Sequence, residues 1–173
     1  VGQVWDDKTN KVLQFQAQGV GAWATGNAVN AARQLPGSGG LQTAALMSGG
    51  SPVTAANELY NGTSWTEVAG NLNTGRTGHG FAGLDNTAAV VFTGYSTAYV
   101  AITEIWNGTS FSEVADMNTA RTTLAGAGTS TSALATGGNA SGSASATNES
   151  WNGTSWSEVA DLNLARWEIM GVG

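Results

Sequence analysis

Carboxylate and guanidinium groups recur at fixed positions of a repeated motif, in the sets Glu58, Glu104 and Glu149 and Arg76, Arg121 and Arg166. Two carboxylates brought together could perform general acid–base chemistry. Repetition places each copy in a different unit of the chain, however, whereas catalysis needs unlike groups that converge in one pocket. We therefore predict that these glutamates pair with the repeated arginines and have a structural role.

His79 is the only histidine of the chain and lies in the segment TGHGF. A metal site or a catalytic base built on it would lack partners of its own kind, so the sequence predicts a polar loop residue. An enzyme that uses His79 together with a loop acid is the least favoured hypothesis. We expect no catalytic residue, no metal and no cofactor.

Five asparagines fit the acceptor pattern of N-glycosylation, namely Asn61, Asn107, Asn139, Asn148 and Asn152. Three of them begin the tripeptide Asn-Gly-Thr, and Asn-Gly is also a sequence that forms tight turns. Turn formation is the simpler interpretation. Glycosylation is the alternative, and it applies if the chain is secreted.

The composition excludes several classes of partner. The 173 residues carry a net charge of −6, and only 10% of them are charged. This balance argues against binding to a nucleic-acid backbone and against electrostatic attachment to anionic lipid. No apolar run approaches the roughly 20 residues that span a bilayer, which argues against membrane insertion. Seven tryptophans in a background of small residues indicate repeated small cores and an ordered all-β fold.

The segment NGTSW begins at residue 61 and again at residue 152, and NGTSF begins at residue 107. A period of 45 or 46 residues is typical of propeller blades and of other arrays of one supersecondary unit. In each unit two short strands meet at Asn-Gly, which predicts a hairpin with a type I′ turn. A glycine-rich strand and an apolar strand complete four strands per unit. A degenerate copy occupies residues 15–33.

The order of features in each unit resembles the kelch repeat: a glycine pair after the second strand, an aromatic on the third, a tryptophan opening the fourth and an arginine before the next unit. The resemblance covers residues 12–173 and implies an all-β, kelch-like β-propeller of about four antiparallel four-stranded blades, with the first strand of each innermost. It places Trp23, Trp65, Phe111 and Trp156 between blades as core residues, although aromatics of this kind could also stack on sugars.

Under this resemblance the chain is a single domain. The predicted divisions are an N-terminal hairpin and partial blade over 1–33, full repeats over 34–76, 77–121 and 122–166, and a closing strand over 167–173. Pairing of the N- and C-terminal strands would close the ring. The alternatives are an open fragment of a longer propeller and blades completed by a neighbouring chain.

The N-terminal segment GQVWDDKTNKVLQFQ resembles a hairpin of tail and fibre proteins of tailed bacteriophages, where it often precedes repeats like MNTAR and AGAGTSTSALATGG of this chain. The resemblance implies a non-enzymatic structural or adhesive module of a virion appendage. Its partners would be other virion subunits and further copies of the chain, and its ligand a host-surface glycan. The alternatives are a subunit of an extracellular filament, glycosylated in that setting, and a lectin-like secreted propeller.

The loops between the second and third strands differ in every unit, at residues 51–55, 96–100 and 139–147. Strand counting places them on the same face as the connections from one unit to the next, and we call this the loop face. Variable loops on a constant scaffold are where binding residues concentrate. We therefore predict ligand binding on the loop face by His79, Tyr95 and Tyr99.

Overall fold

The computed structural model describes residues 3–7, 12–16 and 26–171, with side chains over 26–171. The fold is all-β, and these residues contain no helix. The strands are β1 (Gln3–Asp7), β2 (Val12–Gln16), β3 (Gly37–Leu41), β4 (Ala44–Ser48), β5 (Asn57–Tyr60), β6 (Trp65–Val68), β7 (Gly80–Ala82), β8 (Ala89–Phe92), β9 (Thr103–Trp106), β10 (Phe111–Glu113), β11 (Ala125–Thr129), β12 (Ser132–Thr136), β13 (Asn139–Ala140), β14 (Ser143–Ala144), β15 (Asn148–Trp151) and β16 (Trp156–Val159).

Three antiparallel sheets of four strands follow one another along the chain. The first sheet has the strand order β3-β4-β5-β6, the second β7-β8-β9-β10 and the third β11-β12-β15-β16. The hairpins β1-β2 and β13-β14 form separate two-stranded sheets. The three larger sheets lie within the predicted repeats 34–76, 77–121 and 122–166, so one period of the sequence corresponds to one sheet.

The three sheets share one register. Between their second and third strands, the paired residues are Met47 with Glu58, Val91 with Glu104, and Ala135 with Glu149. Because side chains alternate between the two faces of a strand, equal registers give each sheet equivalent faces. One face carries the repeated glutamate and the aromatic two residues after it, and the other face carries Leu46, Val90 or Leu134 at the equivalent position.

Two hydrophobic clusters join neighbouring sheets. In each, the face of one sheet that carries Leu46 or Val90 packs on the glutamate-bearing face of the next sheet. The main members are Leu46, Leu72, Val91, Trp106 and Phe111 in one cluster and Val90, Met117, Ala135, Trp151 and Trp156 in the other. The predicted packing of the aromatic column is thus confirmed for Phe111 and Trp156. Trp65 is only half-buried, and Trp23 lies outside the described residues.

The Asn-Gly turns differ from the predicted type I′ hairpin. Tyr60 pairs with Trp65, so the loop holds four residues. Asn61 Oδ1 accepts the backbone N–H groups of Thr63 and Ser64, both at 2.9 Å, and Gly62 alone in the loop has a positive φ, at 91°. The turns at Asn107 and Asn152 repeat these bonds. The type I′ prediction is wrong because the asparagine side chain satisfies the N–H groups of the turn, so only the glycine needs a left-handed backbone.

The first strands of the three sheets lie side by side, with β7 between β3 and β11. The approach is close, since a Cβ atom on Gly126 would lie 2.4 Å from the carbonyl oxygen of Phe81. Each of these strands follows a turn in which one residue has a positive φ, and the C-terminal turn after Arg166 has such a residue at the equivalent position. The four residues are Leu35, Gly78, Thr123 and Glu168. These four residues are linked in a chain of backbone hydrogen bonds: Gly78 N–H donates to Leu35 O, Thr123 N–H to Gly78 O, and Glu168 N–H to Thr123 O.

A cavity of about 420 Å³ lies where these four turns meet. Residues 35–38, 78–81 and 168–171 line it, together with Thr123, Leu124 and Gly126. Four copies of the same segment therefore border one space. The described part of the predicted closing strand, residues 167–171, forms no strand, and β1 and β2 pair with each other. Pairing of the N- and C-terminal strands stays a prediction.

Candidate functional site

The repeated glutamates and arginines meet between neighbouring sheets. Arg76 follows the first sheet and forms an ion pair with Glu104 on β9, and neither side chain is exposed. The backbone N–H of Asn73 donates to Glu104 Oε2 at 2.8 Å, and Asn73 Nδ2 donates to the same oxygen at 2.9 Å. We call this arrangement of asparagine, arginine and glutamate a clamp. Its carboxylate receives charge-assisted hydrogen bonds from the preceding unit, which ties one sheet to the next.

Two further clamps have the same geometry. Their asparagines, arginines and glutamates are Asn30, Arg33 and Glu58 in one and Asn118, Arg121 and Glu149 in the other. In both, the asparagine N–H and Nδ2 groups lie 2.8 and 2.9 Å from Oε2. The three glutamates have no exposed surface. The predicted pairing of glutamate with arginine is confirmed, and each carboxylate is fully engaged in joining two sheets.

Sequence reasoning missed the asparagine of the clamp, although its signal is present. Asparagine stands three residues before every repeated arginine, at 30, 73, 118 and 163. Burial lowers the pKa of Arg76 and of Arg121, and the facing glutamates oppose that shift. Arg166 differs from these arginines, because it is exposed and forms no ion pair within the described part of the chain.

His79 is buried, which corrects the prediction of a polar loop residue. Its ring enters the space left by Gly37, where a Cβ atom would lie 2.3 Å from Nε2. The N–H of Gly37 donates to Nε2 at 3.2 Å, so the proton of the neutral ring is on Nδ1. Ser48 Oγ lies 3.1 Å from the same nitrogen, and Nδ1 has no hydrogen-bond partner among the described residues. Burial, and secondarily the charge of Arg76, lowers the pKa of His79 to about 3.

The buried imidazole predicts a specific loss of stability in acid. The unfolded chain binds a proton at this residue below a pH of about 6.5, whereas the folded chain does so only near pH 3. The contribution is therefore fully present above pH 6.5 and is lost as the pH falls toward 3, by up to about 1.4 kcal/mol per pH unit. His79→Gln keeps an acceptor for Gly37 but does not titrate. When urea unfolding is measured from pH 7 to pH 4, we expect the free energy of unfolding of the unchanged chain to fall toward that of the variant. Plots of this free energy against pH that stay parallel for the two proteins would refute the prediction.

Tyr95 and Tyr99 form an aromatic pair on the loop face. Their rings meet edge to face, with centroids 5.6 Å apart and an interplanar angle of 86°. Tyr95 is 39% exposed and Tyr99 is half-buried. The Tyr99 hydroxyl donates to Asn139 Oδ1 at 3.2 Å, which links the loops of the second and third units. The structure thus brings together two of the three predicted binding residues, whereas the hydrogen bonds of His79 go to the first sheet.

The loop face has a repeated support beneath its variable loops. The N–H groups of Gly50, Gly94 and Gly138 donate to the carbonyl oxygens of Arg76, Arg121 and Arg166, at 2.8 to 2.9 Å. Each loop between a second and a third strand is thereby bonded to the connection that leaves the same unit. These bonds agree with the strand count that placed the two on one face. They fix the ends of the loops and leave their tips free to vary.

The five predicted glycosylation acceptors have different surroundings. Asn61, Asn107 and Asn152 are exposed in equivalent turns. Asn139 is half-buried and accepts the Gly142 N–H at 2.8 Å. Asn148 is buried, and its Nδ2 group donates to Ala160 O at 2.8 Å. A glycan on Asn148 would break that bond and has no room, so the structure argues against this acceptor.

Comparison with known proteins adds no assignment: the chain matches no protein-family model and has no significant match among curated proteins. Over residues 26–171 and the strands β1 and β2, no group of three or more His, Cys, Asp or Glu residues could hold a metal ion. In the same part of the chain there is no helix of the length and hydropathy needed to cross a membrane.

Proposed function

We propose that this chain is a non-catalytic, kelch-like propeller of four units that serves as a structural and adhesive module of a phage tail or fibre. Three sheets in one register and four equivalent turns around one cavity support the arrangement of the units. The resemblance of the N-terminal segment to phage tail and fibre proteins supports the setting. In this proposal the partners are other virion subunits and further copies of the chain.

The observation that carries the adhesive part of the proposal is the pair of Tyr95 and Tyr99. Large aromatic rings with a polar group at one end are well suited to contact the apolar faces and hydroxyls of a sugar. The pair lies on loops that vary between units, above connections that do not. The loops 51–55, 96–100 and 139–147 contain no charged residue. We therefore propose an uncharged glycan of the host surface as the ligand.

The clamps supply the rigidity that such a face requires. Each clamp joins the end of one unit to the third strand of the next through a buried carboxylate. Side chains held by a rigid scaffold lose less conformational entropy on binding. Repetition of the clamp therefore serves presentation of the loops, and the glutamates and arginines take no part in the binding itself.

A glycan array with the chain displayed multivalently tests this proposal. We expect binding to uncharged glycans that Tyr95→Ala weakens about tenfold or more, which corresponds to about 1.4 kcal/mol. The control is Leu84→Ala, since Leu84 is also exposed but lies in the loop between β7 and β8, at the other end of the second sheet. Absence of binding, or equal losses in the two variants, would contradict a tyrosine site.

A second candidate is a subunit of an extracellular filament. It is favoured by the exposure of Asn61, Asn107 and Asn152, whose Oδ1 atoms are held by the turn. Glycans at three equivalent turns would decorate each unit in the same way. The intact mass of the chain from its natural source separates the candidates, because attached sugars would favour the filament and an unmodified mass the virion. A lectin-like secreted propeller is a weaker form of this second candidate.

A further inference from the structure

The two contacts between neighbouring sheets differ in polarity. We call the contact between the first and second sheets the first seam, and the contact between the second and third sheets the second seam. Equivalent positions are occupied by Ser48, Asn57, His79 and Phe111 in the first seam and by Phe92, Thr103, Leu124 and Trp156 in the second. The first seam is therefore the more polar of the two and is filled by fewer large apolar side chains.

The polar atoms of the second seam are almost all paired. Trp156 Nε1 donates to Thr103 Oγ1 at 3.0 Å, and the ring of Trp156 packs on that of Phe92 with the two centroids 4.7 Å apart. Within residues 26–171, the one buried side-chain nitrogen or oxygen of this seam without a hydrogen-bond partner is Arg121 Nε. Apolar side chains and a single indole N–H are thus sufficient to close the contact between two sheets.

The first seam leaves four buried polar atoms without a hydrogen-bond partner in the described part of the chain. Three are donors, namely Nε and Nη2 of Arg76 and Nδ1 of His79, and the fourth is the acceptor Asn57 Oδ1. Phe111 supplies no N–H group at the place where the second seam has its indole. Arg76 and Asn57 have no exposed surface and His79 is 5% exposed, so bulk solvent does not reach these atoms. Unsatisfied buried polar groups are unfavourable, and a partner inside the seam is therefore expected.

These four atoms border one small region. Asn57 pairs with Ser48 across the strands, so the two side chains point to the same face of the first sheet. Ser48 Oγ lies 3.1 Å from His79 Nε2. On the other side of the imidazole, a Cβ atom on Gly94 would lie 2.9 Å from His79 Cβ and 3.3 Å from Arg76 Cδ. Arg76 is near enough for its charge to lower the pKa of His79. His79 thus lies between Asn57 and Arg76.

We propose that an internal water molecule binds in the first seam between Asn57, His79 and Arg76. It accepts the Nδ1–H of His79 and an N–H of the Arg76 guanidinium, and it donates to Asn57 Oδ1. The acceptor beside the donors favours water over an anion, because an anion only accepts and would leave Asn57 Oδ1 unpaired. An anion would also lie close to the buried carboxylate of Glu104, the ion-pair partner of Arg76. The phenyl ring of Phe111 is smaller than the indole of the second seam, which leaves room for a molecule of this size.

The single histidine allows this water to be detected directly in solution. When only histidine is labelled with isotopic nitrogen, every imidazole signal in the NMR spectrum of the full chain comes from His79. We expect the Nδ1–H tautomer and a rotating-frame Overhauser cross-peak between this proton and water, with the sign of a dipolar contact and not of chemical exchange. The Nε2–H tautomer, or an Nδ1–H proton without a dipolar contact to water, would overturn the proposal.

An aromatic substitution tests where the water lies. Phe111→Trp places an indole N–H opposite Asn57 Oδ1, as in the second seam, and fills the space beside it. We expect the cross-peak between His79 and water to be lost in this variant. The matched control is Trp65→Phe, which exchanges the same two side chains at the equivalent position of the first sheet, outside the first seam, and should keep the cross-peak. Persistence of the cross-peak in Phe111→Trp would overturn the assignment of the water to this place.

A high-resolution crystal structure of the unchanged chain gives an independent result that does not depend on any variant. We expect an ordered water within hydrogen-bond distance of both Asn57 Oδ1 and His79 Nδ1. A first seam without ordered density at this place would overturn the proposal. Crystals soaked in sodium bromide separate water from an anion, because only an anion site would acquire an anomalous bromide signal, and that signal would also overturn the proposal.

Discussion

Replacing Glu104 by alanine is expected to lower the free energy of unfolding by about 3–5 kcal/mol. The substitution leaves Arg76 buried without its carboxylate and removes the acceptor of the Asn73 N–H and Nδ2 groups. A buried charge that has lost its partner bears a desolvation penalty that nothing offsets. Chemical denaturation monitored by fluorescence of the tryptophans measures the change.

The matched control for this prediction is Glu113→Ala. Glu113 lies directly across from Glu104 in the strand pair β9-β10, but its side chain is exposed. Exposed carboxylates contribute little to stability, so we expect a change within about 0.5 kcal/mol. Similar losses from the two variants would mean that burial in the clamp has no special importance.

The second large effect is expected for Trp156→Ala, which should cost about 3–5 kcal/mol. Trp156 is buried between the second and third sheets, with its ring centroid 4.7 Å from that of Phe92 and 5.4 Å from that of Trp151. Its Nε1 group also satisfies Thr103 Oγ1. Truncation leaves a cavity between two sheets and removes a buried donor, and both effects destabilise in the same direction.

Trp65→Ala is the control, because Trp65 stands at the same position of the first sheet but is half-buried. Among the aromatic rings of the described residues, the ring of Trp65 packs only against that of Tyr60, with the two centroids 5.1 Å apart. We expect less than half the loss found for Trp156→Ala, measured by the same denaturation experiment. If Trp65→Ala were the more destabilising variant, Trp65 would be more deeply buried than its exposure in the structure indicates, which would contradict this prediction.

The repeat of the fold could be predicted from the sequence because it depends on local pattern. Glutamate, an aromatic residue and arginine recur with one period along the sequence. A strand register that differed by one residue in one unit would move these side chains to the opposite face of its sheet. Equal columns therefore required equal sheets, and the three sheets share one register. That the glutamates pair with the repeated arginines followed from the same argument, whereas the choice of Arg76, in the preceding unit, as the partner of Glu104 is known only from the structure.

Two predictions failed for reasons that the pattern does not contain. The turn at Asn61 was expected to be type I′, but the asparagine side chain satisfies two backbone N–H groups, which a propensity for Asn-Gly does not distinguish. His79 was expected in a polar loop, yet its burial depends on the space beside Gly37, which is 42 residues away in the sequence. Contacts of that separation are set by packing between sheets.

The sequence predicted only part of the arrangement of the loop face. Variation of the loops drew attention to Tyr95 and Tyr99, and the structure shows that their rings are in contact; their role in binding stays a prediction. The link from Tyr99 to Asn139 in the next unit could not be foreseen, since it depends on how far one loop reaches over the connection of another. The asparagine of the clamp was visible as a fourth recurring column and was missed.

The coupling free energy between Arg76 and Glu104 tests most directly whether the recurring polar residues hold the sheets together. A double-mutant cycle with Arg76→Leu and Glu104→Leu compares the two single variants with the pair. We predict that the double variant is less destabilised than the sum of the singles by about 2–3 kcal/mol, because each single variant leaves one buried group without its partner. Additive losses would contradict a clamp between sheets, whatever the fold of each sheet.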